Sequence, residues 1–187
     1  MTINYKYKEL KNISKISSPK NLIETMNFDS AILMSKEMLN NEEWDEELQK
    51  YAAKILEELR RKYPDEWNFS WKYDAFLGYV YDIISNYDKR YKFYEKAIKK
   101  APFPTPPQLL IAIAGCCWAP GIPPITEKES IELVKQALSN KNYYEGVSLL
   151  RGLYKSIGNQ EEQDYWERIL ENINEDESRL PPLDDLS

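Results

Sequence analysis

Chemistry in this chain would have to start from its cysteines and its carboxylates. Cys116 and Cys117 are adjacent, and they are its two cysteines. Neighbouring thiols could close a strained disulfide or hold a soft metal, and a single thiolate could act as a nucleophile. Two cysteines side by side cannot make a disulfide framework. A nucleophilic thiol needs a base, and the chain contains no histidine. That removes the commonest general base, the Ser/His and Cys/His pairs, and most transition-metal sites. Because free cysteine is among the most buried residue types, the pair reads as small buried residues on a helix. Carboxylate pairs occur at Asp45 with Glu46 and at Glu161 with Glu162. They sit in dense surface charge, where a solvated helix face is a better reading than a catalytic dyad. No GxxxxGKS/T or GxGxxG phosphate loop is present. The expectation is a protein without catalytic residues, metal or other cofactor.

Charge then becomes the main signal. The net charge of −6 is unevenly spread. Residues 160–187 hold ten acids against Arg168 and Arg179, a local charge of −8 that leaves +2 for residues 1–159. A second acidic cluster is NEEWDEEL, 41–48. Acidic patches repel nucleic acid, whose phosphates need Lys and Arg, and they attract basic proteins and speed their encounter. The basic runs, Arg60–Arg61–Lys62 and Lys99–Lys100, fall at helix C-termini, where the helix dipole alone explains them. Nucleic acid is therefore not expected as a partner. The N-terminus lacks an apolar signal region, and the longest apolar run, LLIAIAGCCWAP at 109–120, is shorter than the roughly 20 residues a membrane span needs. A cytoplasmic protein with no membrane association is expected.

The 187 residues suit one domain. Residues 1–25 are polar and lysine-rich, an N-terminal arm that could be a short helix, an edge strand or an ordered extension. From 28 onward the pattern is helical. DSAILMSKEMLNN starts at a cap, Asp29 or Ser30. In the next segment Trp44, Leu48, Tyr51, Ala52, Ile55, Leu56 and Leu59 share a face at three-and-four spacing, and Pro64 ends it. Helices follow at about 70–85, 88–100 and 107–118. A proline loop at 119–126 leads to Thr126 and Glu129, which have capping-box spacing. Helices through Ile131, Val134 and Leu138, through NYYEGVSLLRGLYKSI closed by Gly158, and through QEEQDYWERILENI complete a helical domain at 26–174. An acidic tail covers 175–187. Eight helices with short links pack as antiparallel pairs.

One hairpin carries more information, LGYVYDIISNYDKRYKFYEKAIKKAP at 77–102. Leu77 and Tyr81 lie one turn apart, and Tyr94, Ala97 and Ile98 share a face of the following helix. Gly78 and Ala97 are small enough for close helix approach, Tyr87 covers the turn, and Pro102 stops the second helix. This spacing resembles the tetratricopeptide repeat, a helix pair of roughly 34 residues. Leu77, Gly78, Tyr81, Tyr87, Tyr94, Ala97 and Pro102 match. Asp74 stands where the family has tryptophan, and Arg90 where it has a small residue. Looser units are QLLIAIAGCCW (108–118) with IELVKQAL (131–138), their turn lengthened by the proline loop, then Leu150 and Tyr154 with 158–170, and a divergent first pair at 28–40 and 43–63.

The resemblance implies an all-α fold of about four stacked antiparallel helix pairs forming a short right-handed superhelix. Its groove would be lined by the first helix of each pair. Carried onto this chain, the groove positions are Lys72, Ala75, Tyr79, Asp82 and Ile83 in the best unit, and Ser148, Gly152 and Lys155 in the last. Tyr79 could equally be core. The function expected is protein binding, by a monomer or weak homodimer. A small acidic protein without catalytic residues suits stoichiometric capture of a basic partner, as bacterial immunity proteins capture a toxin, with Glu42, Glu43, Asp45, Glu46 and Glu47 as the attracting edge. The competing expectation is an adaptor or chaperone holding an extended peptide in the groove. An enzyme of unknown type is a distant third.

Overall fold

Helix starts are set by side chains that accept backbone N–H groups which would otherwise lack partners. In the computed structural model, which describes residues 6–41 and 43–186, Ser18, Asn27, Asp45, Ser70, Asn86, Thr126 and Asn159 all do this. Thr126 and Glu129 form the expected capping box. The cap of the first strongly helical segment is Asn27, not Asp29 or Ser30. Its side chain accepts from Ser30 N at 2.8 Å and brings Phe28 into the helix.

The helices in chain order are α1 (Tyr7–Ile16), α2 (Pro19–Thr25), α3 (Phe28–Leu39), α4 (Glu46–Lys62), α5 (Pro64–Asn68), α6 (Trp71–Ile83), α7 (Tyr87–Lys100), α8 (Pro107–Ala114), α9 (Glu127–Ala137), α10 (Tyr144–Ser156), α11 (Gln160–Asn172) and α12 (Glu175–Ser178). A single 3-10 turn, Gly115–Trp118, extends α8. No strand occurs among the described residues. Pro64 ends α4 and opens α5, because a missing N–H is harmless in a first turn. The part of the arm that is described is helical, and Leu10 and Ile23 are buried in the same core as α3 and α4.

Neighbours in sequence pack in pairs, α3 with α4, α6 with α7, α8 with α9 and α10 with α11. Weaker contacts join α4 to α6, α7 to α8 and α9 to α10, so each pair rests on the next. Three apolar clusters follow this order. The first spans α1 to α7 around Met38, Leu48, Ile55, Leu59, Trp67 and Phe76. Another joins α6, α7 and α8 through Ala75, Tyr94, Ala97, Leu109, Ile113 and Cys116. The last gathers Ala114, Val134, Val147, Leu150 and Leu153 from α8 to α10.

The hairpin α6–α7 is built as its spacing predicts. A Cβ at Gly78 would lie 2.5 Å from the Tyr94 ring, so only glycine permits this approach. The two positions that depart from the repeat pattern carry ion pairs. Asp74 is buried, accepts the Trp67 indole N–H at 3.0 Å and meets Lys100 at 2.5 Å, tying α5 and both ends of the hairpin together. Arg90, also buried, pairs with Asp82 at 2.6 Å and lies 5.1 Å above the Tyr87 ring.

Candidate functional site

Two regions collect the residues singled out by the sequence. One is the edge where α4 begins. Asp45 accepts from the backbone N–H groups of Glu47 at 3.0 Å and Leu48 at 3.2 Å. It also accepts from the Tyr7 hydroxyl at 2.9 Å and pairs with Lys11. The Lys11 contact, then Tyr7 and the helix N–H groups, outweigh the cost of burial and hold its pKa down at about 2. Asp45 therefore fastens α1 to α4, and its carboxylate is directed into the fold. Glu43, Glu46 and Glu47 are exposed. Glu46 and Glu47 share Lys50 at 2.8 and 3.6 Å, exposed pairs of little energetic weight. Glu42 lies outside the described residues.

Trp44 corrects a sequence expectation. Heptad-like spacing put it on the buried face of α4, but Asp45 is the cap, so Trp44 precedes the helix. Its φ is +48°, a conformation that side chains other than glycine seldom adopt. The indole is 71% exposed, between Glu43 and the exposed acids of the first turn. The apolar face of α4 begins at Leu48 instead.

The other residues singled out lie on α6 and α10, the first helices of two of the pairs. Ala75 is fully buried and belongs to the cluster joining α6 to α8. Tyr79 and Ile83 are partly buried against the first core. Burial raises the Tyr79 phenol pKa, and the nearby carboxylates of Asp184 and Asp82 raise it further. Asp82 is exposed and holds Arg90. Lys72 is partly buried and donates its backbone N–H to Ser70 Oγ at 3.2 Å. On α10, Ser148 is partly buried, Lys155 is exposed, and a Cβ on Gly152 would lie 2.9 Å from the Trp118 indole.

What the sequence reading missed is the C-terminal segment. Arg179 meets Glu145 at 3.5 Å and lies 5.3 Å over the Tyr144 ring. Leu180 N–H donates to Glu145 at 3.3 Å. Leu183 packs on the cluster around Ala75, and Leu186 packs on the first core. Asp184 accepts from Asn40 Nδ2 at 3.4 Å. The available signal was Leu180, Leu183 and Leu186, three apolar residues at equal spacing in an otherwise acidic, proline-broken tail.

The cysteines are free, buried thiols on the 3-10 turn. Cys116 donates to Ala112 O at 3.7 Å, and burial pushes its pKa up to about 11. Burial raises Cys117 as well. Both are protonated at neutral pH, the opposite of an activated nucleophile. Among the described residues, no cluster of three or more His, Cys, Asp or Glu could hold a metal ion. No helix there is long and apolar enough to cross a membrane.

Compared with protein-family models, curated proteins and solved structures, the chain matches none. The likeness to a tetratricopeptide unit therefore rests on the residues of α6 and α7 themselves.

Proposed function

We propose that this protein is a protein-binding module whose helix pairs stack into a short, tetratricopeptide-like right-handed superhelix. Its primary task in this reading is stoichiometric capture of a basic partner at the edge where α4 begins, as an immunity protein blocks a toxin. The observation that carries the reading is Trp44, which is held out in solvent between Glu43 and the acids Glu46 and Glu47. An exposed tryptophan with exposed acids beside it in the sequence has the make-up of an interface hot spot, since Trp is enriched there and nearby charge steers encounter. The test is a pull-down with the purified protein from its own cell extract, eluted by a salt gradient. A small basic protein retained by the wild type and lost with Trp44→Ala supports the reading. The same protein retained by both baits sinks it.

A second reading has its own support. The chain's own residues 179–186 lie against Glu145 of α10, Asn40 after α3 and the cluster holding Ala75 of α6, as a ligand on the first-helix face would in this reading. A face that holds such a segment in cis suits an adaptor that holds one in trans. Tyr79→Arg should abolish capture in that case and leave it intact in the first.

A further inference from the structure

The segment 179–186 follows a defined course. It starts at the N-terminus of α10, where Arg179 and the Leu180 N–H engage Glu145 and where Lys141 donates to Glu177 O at 2.8 Å. Pro181 and Pro182 stiffen the next stretch, and a turn closed by Asp185 N–H to Pro182 O at 3.0 Å follows. Leu183 then reaches the cluster shared by α6, α7 and α8, Asp184 reaches Asn40 just after α3, and Leu186 reaches the first core. The path thus crosses from the last pair to the first over α10, α6 and the end of α3.

We propose that residues 179–186 are a resident ligand of the first-helix face, and that this face takes in trans a partner segment of the same chemistry. That segment is non-helical, stiffened by proline ahead of a tight turn, anchored by leucines three residues apart and flanked by aspartate. The inference rests on the second reading above and adds to it the identity of the ligand class and a built-in competitor. The contacts are suited to exchange. Leu183 and Leu186 are only partly buried, Asp184 makes a long hydrogen bond, and the segment is held covalently at one end. A tethered ligand acts at an effective concentration of about 1 mM, so a trans segment with an intrinsic Kd near 0.1 mM is weakened about tenfold.

The experiment uses the full-length protein and a fluorescein-labelled peptide of residues 178–186, followed by fluorescence anisotropy. The double variant Leu183→Ala, Leu186→Ala should bind this peptide about tenfold more tightly than the wild type. A peptide with both leucines changed to alanine should bind neither protein. Equal affinity for both proteins, or no binding to the variant, overturns the proposal. A melting curve reports whether the variant is folded. A second measurement needs no variant. Nitrogen-15 relaxation of the wild type should show residues 180–186 as rigid as α10. A mobile segment overturns the proposal, and so does a concentration-dependent dimer that exchanges tails. These outcomes are separate from those of the adaptor reading, which fails if Tyr79→Arg leaves partner capture unchanged.

Discussion

The edge at the start of α4 and the surface of α6 around Tyr79 differ in what covers them. At the edge, Asp45 is committed to Tyr7, Lys11 and two backbone N–H groups, while Trp44 and the neighbouring glutamates stay in solvent. On α6, Ala75 is buried and Tyr79 is half-buried, with Leu183 on the cluster that holds Ala75 and Asp184 close to Tyr79. The same acidic composition therefore serves two ends. In α4 one acid builds the helix start and its neighbours remain available. In the tail, acids flank leucines that dock. Charge counted along the chain does not distinguish these, because only the fold says which carboxylates have internal partners.

The largest expected effect concerns the support of the covered face. Gly78→Ala drives a methyl into the Tyr94 ring and should cost about 1–3 kcal/mol in thermal or urea unfolding. A loss below about 0.5 kcal/mol would mean that α6 and α7 pack more loosely than described. Next comes Trp44→Ala, which should leave stability within about 0.5 kcal/mol, as for an exposed side chain, while weakening capture by about 2 kcal/mol. Strong destabilisation would assign Trp44 to the core after all.

Asp45→Asn should cost about 1 kcal/mol, since the amide still caps but loses its ion pair with Lys11. The pH dependence has a definite sign. The carboxyl titrates at about 2 in the folded chain and at about 3.8 unpaired, so the unfolded state binds its proton first as acid is added. Its stabilisation is complete above pH 3.8 and disappears as the pH falls to about 2. The difference in stability between wild type and Asp45→Asn should shrink across that window. The smallest effect on folding belongs to the combined Glu43→Gln, Glu46→Gln, Glu47→Gln variant. It should melt like the wild type yet bind its partner with a flatter salt dependence.

The sequence made the α6–α7 hairpin legible because its signals are local. A small glycine opposite the second helix, a tyrosine at the turn and a stop at Pro102 are all read within one unit. The Thr126 box was legible for the same reason. Trp44 was misread because apolar spacing cannot tell the residue before a cap from the residue after it. The arm stayed ambiguous because Ile3, Tyr5 and Tyr7 alternate like a strand before Tyr7, Leu10, Ile13 and Ile16 recur every third residue among lysines, a pattern too short to choose between until α4 supplies the other half of the core. The course of the tail depends on contacts with residues 40, 79 and 145, far away in sequence. Glu43, Glu46 and Glu47 were found from composition, but the exposure of Trp44 beside them in the sequence was not.

The comparison is tested most directly by photo-crosslinking at both surfaces. Two full-length variants carry a benzoylphenylalanine, one in place of Trp44 and the other in place of Tyr79, and each is irradiated in cell extract. The account predicts that position 44 forms an adduct with one basic protein, and that position 79 crosslinks chiefly to the chain's own C-terminal segment. Adducts to a partner at position 79 with none at position 44 would contradict it, and would move the binding site from the acidic edge to the first-helix face.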